Sequence, residues 1–158
     1  MRLALYQPDI PQNLGAVLRI AACFDAAVDI IEPCGFLLTQ KSLRRVAMDY
    51  AARVEVVRHA GWDAFLAAPQ RAAGRLVLVE TDATASLYDF AFADRDTLLF
   101  GRESAGSPER VYAAAAHAVH IPMAPGARSL NVAVAAGVTL SEARRQLLLR
   151  FPNPASGR

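Results

Sequence analysis

The segment HIPMAPGARSLNVAVAAGV (120–138) sets Arg128, Ser129 and Asn131 within four positions, between an apolar strand end and an alanine-rich helix. One side-chain oxygen suffices to cap a helix start, and either Ser129 or Asn131 can supply it. Capping leaves the other polar groups, Arg128 above all, without a task. A second group lies in QPDIPQNLGAVLRIAA (7–22), where Asn13 can cap the helix it opens and Gly15 lets the backbone approach a bulky neighbour. Arg19 follows amid Leu18, Ile20, Ala21 and Ala22. Six residues turn a helix by about 600°, so Asn13 and Arg19 do not stack on one face. The asparagine marks the helix mouth, and the arginine projects from the second turn. The third group is LLFGRESAGSP (98–108), which holds Glu103 between Gly101 and Gly106 after an apolar run. Glycines there permit close approach of a ligand, and Glu103 supplies a carboxylate. Taken singly, each group also has a plainer reading as a cap, a glycine turn or a solvated charge.

Such groups act together only if a scaffold gathers them. Short apolar runs recur at RLALY (2–6), VDIIE (28–32), VEVVR (54–58), RLVLVE (75–80), TLLFG (97–101) and AVHI (118–121). They are apolar on both faces, as buried parallel strands are. Helical stretches are expected over 13–26, 41–50, 61–68, 108–116 and 131–150, with Pro108 suited to a first helical turn. This alternation predicts an α/β fold with a mainly parallel sheet flanked by helices. In open α/β sheets ligands collect beyond the carboxyl ends of the strands, where all three polar loops fall. Residues 1–150 read as a single domain and FPNPASGR (151–158) as a flexible C-terminal tail.

Composition narrows the class. The chain has 158 residues, is 54% hydrophobic and 20% charged, and carries a formal net charge of +2. It can bury a substantial core, and no apolar run reaches the roughly 18 residues of a membrane span. The apolar start before Gln7-Pro8-Asp9 is too short for a signal peptide, so a cytoplasmic location is expected. Cys23 and Cys34 form no metal-ligand spacing and are expected to be small buried hydrophobes. Neither G-x-G-x-x-G nor G-x-x-x-x-G-K-[ST] occurs in the glycine loop. Only Lys41 among the 17 basic residues is not arginine. Basic residues gather at Lys41, Arg44 and Arg45, at Arg53 and Arg58, and at Arg144, Arg145 and Arg150. Arginine's planar fork suits phosphate, but such clusters are also ordinary solvated faces.

In their order, NLGAVLR, LLFGRESAGSP and IPMAPGARSLNVAVA resemble the three motifs of the SpoU branch of the SPOUT methyltransferases, over about residues 1–150. That resemblance implies transfer of a methyl group from S-adenosyl-L-methionine to a ribose 2′-hydroxyl of RNA, without a metal. LYQPDIPQNLG, IIEPCGF and LRRVAMDY look most like the minimal members, which modify the wobble nucleotide (cytidine or uridine 34) of tRNA, of leucine isoacceptors in particular. The implied fold closes its C-terminal segment in a deep trefoil knot, which general rules of chain path would have excluded. The implied assembly is a homodimer whose partner completes the active site. Small residues at Ala21, Ala22, Ala26, Ala27, Ala133, Ala135, Ala136 and Gly137 are expected to allow close helix contact between copies.

Carried over by position, the resemblance makes Val79, Gly101, Ile121 and Ser129 cofactor contacts, with Leu130 and Met123 beside them. Arg19 falls on the arginine assigned to catalysis, Asn13 and Asn131 support it, and Glu103 stands on the rim. Glu103, Arg128, Lys41, Arg44 and Arg45 are the candidate contacts to RNA, with the anticodon stem-loop as the implied partner. Three positions depart from relatives: Ala16 and Ala133 replace an asparagine and a serine common there, and Ser141 replaces a tyrosine. Free arginine titrates above pH 12, and deprotonating it near pH 7 costs about 7–9 kcal/mol at 1.36 kcal/mol per unit. Arg19 is therefore read as a cation that steadies phosphate or the emerging alkoxide, not as a base. The rival readings are a 2′-O-methyltransferase for rRNA or another tRNA position, a silent RNA-binding dimer, and a nucleotide-binding regulator.

Overall fold

Runs that are apolar at every position build a sheet covered on both faces. The computed structural model describes residues 1–39, 41, 43, 50 and 53–150. Among them the strands are β1 (Arg2–Tyr6), β2 (Ala27–Ile31), β3 (Val56–His59), β4 (Leu76–Val79), β5 (Ala85–Ser86), β6 (Thr97–Phe100) and β7 (His117–His120). Every pairing is parallel, in the order β3-β2-β1-β6-β4-β7-β5. The six strands expected from sequence are present, β1 with the same ends and the others with ends shifted by at most two residues. The two-residue β5 has no apolar run to announce it and pairs only with β7.

The helices are α1 (Pro11–Cys23), α2 (Trp62–Leu66), α3 (Pro69–Ala72), α4 (Glu109–Ala114) and α5 (Val132–Arg150). Two expectations are corrected. Helix α1 begins at Pro11 rather than Asn13, because proline suits the first turn, and Ile10 at the N-cap makes no side-chain cap. Pro108 is the extended N-cap of α4 rather than a first-turn residue. Lys41 and Leu43 are helical, whereas Arg44, Arg45 and the tail 151–158 lie outside the described residues.

Strand alternation sorts the core into two layers. Leu3, Leu5, Val28, Ile30, Val77, Val79, Leu98 and Phe100 face α1 and α5. Ala4, Tyr6, Ile31, Leu76, Leu78 and Leu99 face Trp62 and Phe65 of α2 and Val111 of α4. Each large apolar side chain so buried stabilises the fold by about 1.5–3 kcal/mol. Leu14, Val17, Leu18 and Ala21 of α1 share the first layer with Ala133, Ala136, Leu140 and Ala143 of α5. Spacings of three and four put each set on one helical stripe. Much of the small-residue pattern is therefore used within the chain: Ala21 and Ala136 are fully buried, and Ala26 and Ala133 nearly so.

Further charges and thiols find ordinary roles. Arg144 donates to the Phe24 and Asp25 carbonyls that follow α1, and Arg145 pairs with Glu142 at 2.7 Å. Arg58 pairs with Glu32 at 2.8 Å. Cys23 is exposed and Cys34 only half-buried, so neither is the buried hydrophobe expected from sequence. The exposed row of α1 is Gln12, Ala16, Arg19 and Cys23, the face turned away from the core.

Candidate active site

The chain leaves β1 toward β2 and β3 on one side, then crosses to β4 on the other. Strands β1, β6, β4 and β7 are successive neighbours, so the loops at their carboxyl ends open side by side at the change of direction. A cavity of about 430 Å³ lies there, within the range of roughly 300–1,000 Å³ typical of small-molecule sites. The expected cofactor residues Val79, Gly101, Ile121, Met123, Ser129 and Leu130 all line it, as do Asn13, Asn131 and Glu103.

A line of hydrogen bonds joins three of these loops. Asn131 Oδ1 accepts from the backbone N–H groups of Ala133 (2.9 Å) and Val134 (3.3 Å), capping α5. The cap that sequence left open between Ser129 and Asn131 thus belongs to Asn131. Its Nδ2 donates to Asn13 Oδ1 at 2.9 Å, and Asn13 Nδ2 donates to Glu103 Oε1 at 3.1 Å. Glu103 Oε2 accepts from the Asp9 N–H at 2.8 Å. Asn13 is consequently no cap: it is a buried tie between the loops after β6 and β7. Glu103 braces the β1 and β6 loops with both oxygens while it lines the cavity.

Asp9 continues the brace on its carboxylate side. Arg102 Nη2 donates to Asp9 Oδ1 at 2.7 Å, and the Ser104 hydroxyl donates to Oδ2 at 2.5 Å. The Arg102 hydrogen bond, followed by that of Ser104, pulls the Asp9 carboxyl down to about 2. Arg102 and Gly106 exchange backbone hydrogen bonds of 3.1 and 2.8 Å, closing a tight turn in which Gly106 takes φ 63°. That left-handed conformation suits glycine.

Gly101 is needed for a further reason, beside the ligand approach that the sequence suggests. A Cβ there would fall 2.5 Å from Glu80 Oε1, 2.6 Å from Ser107 Oγ and 2.7 Å from the Gly106 carbonyl carbon. Neighbours from the protein itself fill the space beside the glycine. Sequence reasoning missed Asp9, Arg102, Glu80 and Ser107. The one available signal was a carboxylate directly after the wholly apolar run of β4.

The cation singled out for catalysis stands apart. Arg19 is exposed on α1, its guanidinium 5.2 Å from the centre of the Tyr50 ring, and it does not line the cavity. Arg128 and Lys41 are also exposed and outside the lining. Ala133 is buried in the core, while Ala16 and Ser141 are exposed. Among the described residues no group of three His, Cys, Asp or Glu side chains is placed to hold a metal ion, and no helix is long and apolar enough to cross a membrane.

Comparison with known proteins gives this arrangement a family. The model of the SpoU rRNA Methylase family matches residues 1–141. The chain belongs to the SpoU methylase family. It is similar to the tRNA (cytidine(34)-2′-O)-methyltransferase of Beijerinckia indica subsp. indica, with 51% identity over 145 residues, 92% of this chain and 91% of that one. The enzyme of the same description from Escherichia coli strain K12 is 38% identical over 151 residues, 93% and 94% of the two chains. A structure solved to explain the 2-OH methylation of C/U34 on tRNA superposes with a TM-score of 0.86 at 45% identity, covering 94% of this chain and 97% of that one. The SpoU methyltransferase AviRb from Streptomyces viridochromogenes, in complex with AdoMet, superposes with a TM-score of 0.83 at 28% identity, over 94% of this chain and 61% of its own.

Proposed function

We propose that this chain methylates the ribose 2′-hydroxyl of the wobble nucleotide, cytidine or uridine 34, of tRNA, using S-adenosyl-L-methionine. The observation that carries the reading is the cavity at the carboxyl ends of β1, β6, β4 and β7, lined by every residue that the family motifs assign to the donor. Apolar walls from Val79, Phe100, Ile121 and Leu130 suit a nucleoside. Glu80 Oε1, buried and without a hydrogen-bond partner among the described residues, lies in the lining and suits its polar atoms. When bound, the donor supplies an electrophilic sulfonium methyl.

The chain's own part is alignment and charge stabilisation. The Asn131–Asn13–Glu103 tie fixes the loops that must present donor and ribose to one another. Arg19, on the outward face of α1, acts in the cavity of a second copy of the chain, so the working unit is a homodimer. Light scattering at twice the 17.0 kDa chain mass checks that assembly. There the guanidinium holds phosphate or ribose and stabilises the emerging alkoxide, while solvent or an RNA phosphate takes the proton. Arg128, Lys41, Arg44 and Arg45 contact the anticodon stem-loop, the C-terminal segment closes the family's trefoil knot, and the enzyme works in the cytoplasm without a metal.

Single-turnover transfer to tRNA tests the reading. Arg19→Ala lowers the rate by roughly 10²- to 10³-fold, the scale of one lost charge-stabilising donor. Arg19→Lys recovers part of it if charge is what matters, and little if the planar fork must position phosphate. A tRNA carrying 2′-deoxyribose at nucleotide 34 accepts no methyl. Undiminished transfer to that tRNA contradicts the proposal.

A further inference from the structure

Glu80 follows β4 directly and lines the cavity, yet one of its carboxylate oxygens serves no other group among the described residues. Oε1 is buried and finds no hydrogen-bond partner among the described residues. It stands 2.5 Å from where a Cβ of Gly101 would lie, so that glycine admits it at the turn between β6 and α4, while a Cβ at Gly106 would meet it at an ordinary 3.5 Å. Its neighbours lean the same way electrically. Burial, the hydrogen bond to Asp82 and the charge of Glu80 together raise the Tyr112 hydroxyl above its ordinary value. The charged residues among the cavity lining are Glu80, Glu103 and Arg102; Arg102 gives its Nη2 to Asp9, while its Nε has no hydrogen-bond partner among the described residues. Glu103 is engaged by Asn13 and the Asp9 N–H. Glu80 is thus the lining carboxylate with an oxygen to spare, in a cavity whose balance of charge is negative.

We propose that Glu80 is a specificity-determining residue that favours a cationic nucleoside ligand, the sulfonium donor, over the neutral thioether left after methyl transfer. The inference rests on the cavity being the donor site. Donor and product share adenine, ribose and the amino-acid tail, and differ in a methyl group and the positive charge at sulfur. A carboxylate that only received a hydroxyl or amine hydrogen bond from a shared part would hold both equally. One that acts through its charge separates them, weakening the product and hastening its exit. A cavity of about 430 Å³ is on the order of 10 Å across, and a unit charge at about that range in an effective dielectric of about 20 changes affinity roughly tenfold.

Calorimetry on the full chain with S-adenosyl-L-methionine and S-adenosyl-L-homocysteine decides it. Glu80→Gln keeps the shape and the acceptor oxygen but removes the charge. It should weaken the donor roughly tenfold while changing the product less than about twofold. Glu80→Asp keeps the charge and should keep the wild-type preference for the donor within about threefold. Equal weakening of both ligands by Glu80→Gln, or no weakening of either, overturns the proposal. So does loss of the preference in Glu80→Asp when its thermal unfolding matches wild type. If the wild-type chain binds neither ligand, the assignment of the donor site itself fails, an outcome distinct from an unchanged preference in a variant that binds both.

Discussion

Asn13 shows how one side chain can tie the loops around a cavity to one another. Its amide meets Glu103 on one side and Asn131 on the other, so two loops distant in sequence depend on it. Asn13→Ala leaves the Glu103 and Asn131 groups to find water. Because both reach the surface, the expected cost is about 1 kcal/mol, the lower end for a stranded polar group. Urea unfolding measures that cost, and calorimetry should show donor affinity falling with it. At this scale the residue types were legible and their partners were not. Asn13 and Asn131 stood out as polar residues at helix mouths, but a capping residue and a cross-loop tie look alike in one dimension. Glu80 was hidden for the opposite reason: a carboxylate closing a strand reads as solvated until the glycines beside it are seen.

Elements, rather than single residues, set the distances between these groups. The loop after β1 is latched by Asp9 to Arg102 and Ser104, across more than ninety positions of sequence. The Asp9 carboxyl is held at about 2 against an ordinary 3.8, with the Arg102 hydrogen bond as the largest cause. Its stabilising contribution is therefore complete above pH 3.8 and lost as pH falls through about 2. The stability difference between wild type and Asp9→Asn should stay constant from pH 5 to 8 and shrink between pH 4 and 2, as thermal unfolding across that range would record. Beneath the latch, α1 and α5 meet through small residues. Ala136→Leu forces three more carbons into a fully buried position and should cost about 1–3 kcal/mol in thermal unfolding. Strands such as β4 and β6 were legible because burial on both faces leaves largely apolar runs, although β2 carries the buried Asp29. The alanine stripes were legible as close contacts, and Ala21, Ala26, Ala133 and Ala136 make theirs within the chain. A stripe of small residues records the closeness of its neighbour, never whether the two share a chain.

For the whole molecule, the parallel order around β1 was foreseeable as a class and the strand sequence was not, since periodicity carries no information about which buried strand lies beside which. The same limit applies to the expected trefoil knot, which rests on family resemblance alone. What the architecture does explain is why residues 9–13, 79–80, 100–107 and 121–131 act as one site: four neighbouring strands end there, and the chain reverses its direction of winding beside them. Arg19 is the part of the account that one chain does not complete, which makes the reaction itself the most direct test. The chain should be incubated with bulk tRNA and methyl-labelled S-adenosyl-L-methionine, and the RNA then cut by nucleases and its fragments resolved by mass spectrometry. The account predicts the label on the 2′-oxygen of nucleotide 34, as 2′-O-methylcytidine or 2′-O-methyluridine. Label at another nucleotide, on a base, or nowhere in the tRNA contradicts it.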